Sequence, residues 1–202
     1  MIRAYFPGIA VFCCFLLLCG CGDDRQKDQS THFTKVDTVT ETYLELKEKM
    51  VESWNRMMHD DNQKLKAMRH IIHELKVSNP EEREDLKHYG ERLENLADLR
   101  YTQKTMENTN VVEEYDFASN ALVAELISMA EAEPEFAYNT TLQRLVETIR
   151  TSDQRVQTYR EEYDRVASQY NRFVEEHKAA IREIEADSFV DKKPLFQMVA
   201  EE

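Results

Sequence analysis

The chain has 202 residues and a formal net charge of −13, from 26 Lys and Arg against 39 Asp and Glu, a length that fits one domain or two small ones. The acidic balance excludes nucleic-acid binding through a basic face and argues against electrostatic docking on anionic lipid. Beyond residue 22 the chain holds one glycine and three prolines, too few turn residues for a β-rich fold, a Rossmann domain or a P-loop, so the composition favours long helices.

The N-terminus has the features of a bacterial lipoprotein signal. Arg3 gives a positive start, and residues 4–18 form an apolar run that is short for a permanent membrane span. The tetrapeptide LCGC at 18–21 resembles the lipobox, whose last cysteine is lipidated and becomes the first residue of the mature protein. We therefore expect residues 1–20 to be a lipoprotein signal peptide and Cys21 to carry acyl chains such as palmitate; an uncleaved helix is the alternative.

The segment after the signal predicts a tether. Residues 21–35 comprise the lipidated Cys21 and a polar stretch without hydrophobic periodicity, which is typical of a flexible segment. All four cysteines of the chain lie within residues 13–21, so the mature protein has no thiol left for a disulfide or a thiolate metal site. Each buried CH₂ of an acyl chain contributes about 0.8 kcal/mol, so two or more chains attach a protein to its membrane almost permanently.

Residues 36–77 predict one long amphipathic helix of coiled-coil-like spacing. Apolar residues recur there every three or four positions, and the stripe changes phase by one residue between Trp54 and Asp61. Residues 78–82 (SNPEE) predict a stop and a restart, because Ser or Asn can cap a helix and Pro suits its first position.

The following helical run has a weak middle. Its apolar face is regular at first and recovers near Tyr115, but residues 100–110 are poor in aliphatic side chains. Two interpretations stay open, a single helix with a local kink and two helices that meet near 105–110. We favour the kink.

The helix after Pro134 carries the most regular pattern of the chain. Asn139 or Thr140 can cap it, and apolar positions then recur in steps of three and four over five heptads. We expect nine of these positions to form bundle core rather than an aromatic ligand pocket: Leu142, Leu145, Ile149, Val156, Tyr159, Tyr163, Val166, Tyr170 and Phe173. Apolar pairs in the tail predict a short terminal segment that packs on one end of the bundle.

These elements together predict the fold class. The protein is expected to be all-α, an elongated antiparallel helical bundle of long coiled-coil-like helices over residues 36–202. Three to four long helices and a short C-terminal segment account for the whole of that range.

Residues that could carry chemistry are few. His70 and His73 lie one helical turn apart beside Glu74, and such a pair can contribute to a zinc site, but no third ligand has a convincing spacing and the H-E-x-x-H order is absent. We identify no cofactor, no small-molecule substrate and no catalytic set, and we expect a protein that is not an enzyme. The alternative is an envelope metal-binding protein or enzyme that uses His70 and His73.

Several motifs in the second half resemble the LemA family. They read ASNAL at 118–122, EAEPEF at 131–136, REEYD at 160–164, YN at 170–171 and KPLF at 193–196. Family members carry similar patterns in the same order and spacing, and residues 46–54 are similar to an upstream stretch that ends in Ala-Trp. The chain resembles a divergent, lipoprotein-type member, because residues 64–72 depart from the family's pattern and a lipobox replaces the uncleaved span of most members.

The resemblance implies an antiparallel helical bundle held at the envelope membrane, and it implies no reaction, because the family has no established catalytic activity. We expect a lipoprotein anchored to a membrane through Cys21, with the bundle outside the cytoplasm, in the periplasm or facing the surface. An envelope protein or a second copy of the chain is the expected partner, and a basic protein surface suits the acidic charge.

Overall fold

The computed structural model describes residues 35–185 and 190–196. Within these ranges the chain forms five α-helices and no strand, so the predicted all-α class is confirmed. The helices are α1 (Lys35–Ser78), α2 (Arg83–Leu99), α3 (Thr109–Ala132), α4 (Thr140–Glu176) and α5 (Lys178–Ile184). The predicted signal peptide, Cys21 and all but the last residue of the tether lie outside the described residues. None of the described helices is long and apolar enough to cross a membrane.

Helices α1 and α4 are the central pair and run antiparallel. Near the start of α1, the ring of Tyr43 lies 5.9 Å from that of Tyr170, which is close to the end of α4. Further along α1, Lys64 Nζ lies 3.8 Å from Asp153 Oδ1, in the first half of α4. The heptad-like spacing that both sequences show therefore places one apolar stripe against the other.

Helices α2 and α3 complete a four-helix section with the second half of α1 and the first half of α4. Ion pairs mark three of its other contacts, between α1 and α2, α2 and α3, and α3 and α4: Arg69–Glu94 at 2.8 Å, Arg92–Glu125 at 2.5 Å and Arg150–Glu131 at 2.7 Å. The larger hydrophobic core fills this section.

The first half of α1 packs against the second half of α4 and against α5. A smaller core stabilises this part of the bundle, and it consists of Val39, Tyr43, Tyr170, Val174 and Ile181. Asn139 caps the other end of α4, as the sequence predicted, because its Oδ1 accepts hydrogen bonds from the backbone N–H groups of Thr141 and Leu142.

The prediction of a kinked single helix through residues 100–110 is wrong, because α2 and α3 are separate helices. Residues 100–108, with a single 3₁₀ turn, join them. Tyr101 and Met106 are only 4% and 1% exposed, so this connection inserts two large side chains into the core. Its backbone is satisfied locally: the hydroxyl groups of Thr102 and Thr105 each accept a hydrogen bond from the other residue's N–H. The burial of the two side chains and these two hydrogen bonds offset the loss of helical hydrogen bonds at the break.

The C-terminal tail was predicted to pack on one end of the bundle, and this prediction is wrong in part. Val190 packs against the smaller core, but Leu195 and Phe196 reach the larger one, where Phe196 stacks on Trp54 near the middle of α1. We call residues 190–196 the C-terminal segment.

Candidate functional site

The nine α4 positions proposed as core fall into two groups. Six of them are buried: Leu142, Leu145, Ile149, Tyr163, Val166 and Tyr170. Three are only partly buried: Val156, Tyr159 and Phe173. Val156 and Tyr159 line a cavity, which explains why their side chains are incompletely covered.

His70 and His73 lie on the exposed face of α1. The two residues between them, Ile71 and Ile72, face the core and are buried. Among the residues that the structure describes, no group of three His, Cys, Asp or Glu side chains is placed to hold a metal ion. The fold therefore brings no third ligand to this pair within the described ranges.

A polar cavity of about 230 Å³ lies between α1, α3 and α4 in the four-helix section. Charged and hydroxyl side chains from all three helices line it, among them Asp60, Asp61, Lys64, Asp116, Ser119 and Arg160. A charge taken out of water is costly unless it is paired and hydrogen-bonded. The partners of these groups therefore show what the cavity can do.

Asp61 is the acceptor at the centre of this cluster. The hydroxyl group of Tyr115 lies 2.8 Å from both of its carboxylate oxygens. Arg100 Nη1 and Lys64 Nζ lie 3.3 and 3.5 Å from it. Burial and the adjacent Asp61 carboxylate raise the pKa of Tyr115 well above its usual value, so this hydroxyl remains a hydrogen-bond donor.

Lys64 is a buried cation, only 3% exposed. Its ammonium donates a hydrogen bond to Ser119 Oγ at 3.0 Å and lies between the carboxylates of Asp61 and Asp153. Among residues 35–185 and 190–196, the buried hydroxyl group of Ser152, which also lines the cavity, has no hydrogen-bond partner. The hydrogen bond to Ser119 and the ion pairs with Asp61 and Asp153 hold the Lys64 ammonium in place.

Arg160 joins the cavity to the C-terminal segment. Its guanidinium donates two hydrogen bonds of 2.7 Å to Asp116 and one of 3.1 Å to the hydroxyl oxygen of Tyr101. Burial opposes the charge, but the hydrogen bonds to Asp116 and the contacts with Tyr101 outweigh it, so the pKa of Arg160 lies above its usual value. The same guanidinium lies 4.9 Å from the ring centroid of Phe196.

Aromatic side chains surround the Phe196 ring. It stacks on Trp54 with 6.3 Å between centroids and an interplanar angle of 10°. Tyr101 and Tyr163 meet it edge to face at 5.5 and 5.7 Å. Such pairs contribute about 0.5–1.5 kcal/mol each beyond their buried area, so the ring is held from three sides.

Two α4 side chains hold the backbone of the C-terminal segment. The amide of Asn171 donates to the carbonyl oxygen of Lys193 at 2.8 Å and accepts from its N–H at 2.7 Å. Asp164 Oδ1 accepts a hydrogen bond of 2.8 Å from the N–H of Phe196. We call the surface that holds the segment the segment groove; it consists of Trp54, Tyr101, Arg160, Tyr163, Asp164 and Asn171.

Sequence reasoning named only part of these sites. It placed Tyr163 in the core and quoted residues 160–164 and 170–171 for a family resemblance, but it gave Arg160, Asp164 and Asn171 no role. A signal for the buried charges was present, because Asp61 occupies a position of the apolar α1 stripe. Lys64 carried no comparable signal, since a lysine beside a stripe is ordinarily a solvated residue.

One testable consequence concerns Tyr163, whose buried hydroxyl has no hydrogen-bond partner within the described part of the chain. Burial and nearby Asp164 raise the pKa of Tyr163 to about 12, whereas an unfolded tyrosine ionises near pH ~10. The native state thus holds this proton more tightly, and its stabilising contribution is lost as the pH rises from about 10 to 12.

We expect Tyr163→Phe to melt at or slightly above the wild-type temperature at pH 7, because it removes an unpaired buried hydroxyl. It should also lose less stability between about pH 10 and 12. Thermal melts followed by circular dichroism measure both effects. An identical alkaline loss in the two proteins would contradict the assignment of that titration to Tyr163.

One family model matches the chain, that of the LemA family, over residues 32–202. The matched range includes every residue of the cavity and of the segment groove. No curated protein and no solved structure matches the chain.

Proposed function

The chain belongs to the LemA family, and on that premise we propose that it is a lipid-anchored bacterial envelope protein that acts by binding partners rather than by catalysis. The observation that carries this proposal is the mutual pairing of the charged side chains in and beside the cavity. Lys64 and Arg100 contact Asp61, and Arg160 contacts Asp116. Groups paired in this way stabilise a specific helix arrangement, whereas an acid, base or nucleophile must be available to a substrate.

The outer face of α1 supports a role in binding. Glu41, Glu48 and Glu52 are exposed on this face of the helix, and Leu44 and Val51 are exposed beside them. Complementary charge accelerates encounter and selects among partners. A partner with a basic surface is the kind that this face and the acidic chain favour.

The lipobox supports the membrane attachment. In this proposal residues 1–20 are removed, Cys21 carries the acyl chains, and residues 21–35 connect the membrane to the bundle of residues 36–202. The bundle would then lie outside the cytoplasm, in the periplasm or facing the surface.

The experiment is metabolic labelling with a radioactive or clickable fatty acid, combined with membrane fractionation. Cys21→Ser is expected to lose the acyl label completely and to stop signal cleavage, because the modified thiol is gone. Cys19→Ser, the matched control, should keep the label, since its position precedes the cleavage site. Acyl label on Cys21→Ser at the wild-type level would refute the anchor.

A further inference from the structure

We propose that the segment groove is a peptide-binding site for an extended segment of a partner protein, and that the C-terminal segment occupies it as an internal competitor. In the partner segment, the backbone of one residue would pair with Asn171, as Lys193 does. An aromatic residue would follow it three positions later, and a basic residue would precede it. This inference deepens the proposed function by naming the class of partner, but it rests on the groove contacts and not on the lipid anchor.

The way in which the backbone is held is typical of peptide recognition. The two hydrogen bonds between the Asn171 side-chain amide and Lys193 involve only main-chain atoms of the C-terminal segment, and so does the bond from the N–H of Phe196 to the Asp164 carboxylate. Main-chain contacts of this kind provide affinity for any extended chain, and side-chain pockets provide selectivity. The groove therefore holds the backbone of an extended peptide at two fixed points, and the packing of Leu195 against the larger core favours an apolar residue just before the aromatic one.

The pocket for the aromatic ring provides the selectivity. The Phe196 ring contacts three aromatic rings, and the guanidinium of Arg160 lies over its face. A cation at this distance from a ring stabilises an aromatic occupant, with no equivalent effect for an aliphatic one. Phe, Tyr or Trp at this position is the expected preference.

The charge of the occupant follows from the residues that flank the groove. Lys192 Nζ lies 3.5 Å from the carboxylate of Glu175 on α4, and the whole chain carries a net charge of −13. A basic residue before the backbone contact is therefore favoured electrostatically. These requirements describe KKPLF at 192–196, the segment that occupies the groove in the structure.

The internal segment sets the conditions for binding in trans. A tethered competitor acts at an effective concentration that is commonly in the millimolar range. It lowers the apparent affinity for an external peptide in proportion to the fraction of molecules in which the groove is empty. Removing the ring of Phe196 should therefore reveal the site.

The experiment titrates the detergent-solubilised full chain with a blocked synthetic peptide of residues 190–196, VDKKPLF. Trp54 is the only tryptophan of the chain and stacks on the ring, so its fluorescence reports occupancy. Phe196→Ala should show a saturable change in emission, at a peptide concentration about tenfold or more below that needed for wild type. A peptide that ends in Ala in place of Phe should cause no change.

Two controls keep the result interpretable. Asn171→Ala combined with Phe196→Ala should lose peptide binding, because the backbone contacts at Lys193 are gone. If circular dichroism shows that Phe196→Ala unfolds the bundle, Phe196→Leu replaces it, since leucine keeps the apolar filling without the aromatic stack.

The proposal is overturned if the folded variant gives no saturable change, or if the Ala-ended peptide binds equally well. It is also overturned if wild type forms a concentration-dependent dimer that Phe196→Ala abolishes, because the occupant would then be a second copy. The Cys21→Ser labelling result is independent of the groove, so failure of the anchor and failure of the groove are distinguishable.

Discussion

Asp61→Ala is expected to lower the free energy of unfolding by about 3–5 kcal/mol, the range measured when one partner of a buried ion pair is removed. The substitution leaves Lys64 buried beside a missing carboxylate and deprives the Tyr115 hydroxyl of both of its 2.8 Å acceptor contacts. Urea unfolding followed by Trp54 fluorescence and by circular dichroism measures the loss.

The control is a change of both partners. Asp61→Leu with Lys64→Met replaces the pair by apolar side chains, so its cost should be smaller than the sum of the two single changes. Asp98→Ala, on the exposed face of α2, should stay within about 0.5 kcal/mol of wild type. If Asp61→Ala also stays within that range, the buried pairing does not stabilise the bundle.

Tyr163→Asp is expected to have an effect of similar or larger size. The side chain is fully buried among Trp54 and Phe196, so the variant combines a cavity with an unpaired polar group. Each mechanism alone is among the most destabilising known, and we expect a loss of about 4 kcal/mol or more at pH 7.

The sign of its pH dependence is also fixed. A carboxyl group in an apolar site has its pKa raised, so the folded variant takes up a proton that the unfolded chain releases near pH ~4. The deficit relative to wild type should therefore shrink as the pH falls from about 7 to 4. Tyr138→Asp, at a position 89% exposed, serves as the matched control and should melt near wild type. A Tyr163→Asp protein that also melts near wild type would show that Tyr163 is not core.

Periodicity was sufficient to predict most of the helices. The apolar steps of three and four along α4, the stop at Pro80 and the cap at Asn139 each depend only on residues within or next to a single helix. Such local features can be read from the sequence. The break between α2 and α3 was not predictable in this way. It depends on whether Tyr101 and Met106 gain more by burial than the connection loses in hydrogen bonds, and that balance involves side chains of other helices.

The two sites depend on contacts that local sequence does not encode. Lys64 and Ser119 are 55 residues apart, and Phe196 is 32 residues from Asp164. A lysine or an asparagine in an amphipathic helix is most often solvated, so only the folded arrangement distinguishes Lys64 and Asn171 from their exposed counterparts. Family resemblance drew attention to the right α4 residues without showing that they hold the C-terminal segment.

The measurement that tests the central claim most directly is mild cross-linking in cells, followed by mass spectrometry of what co-purifies from native membranes. Wild type is compared with Cys21→Ser. A lipid-anchored binding protein predicts a defined, near-stoichiometric envelope partner that is captured with wild type and lost with the variant. Capture of nothing, or of the same proteins by both forms, would contradict that function.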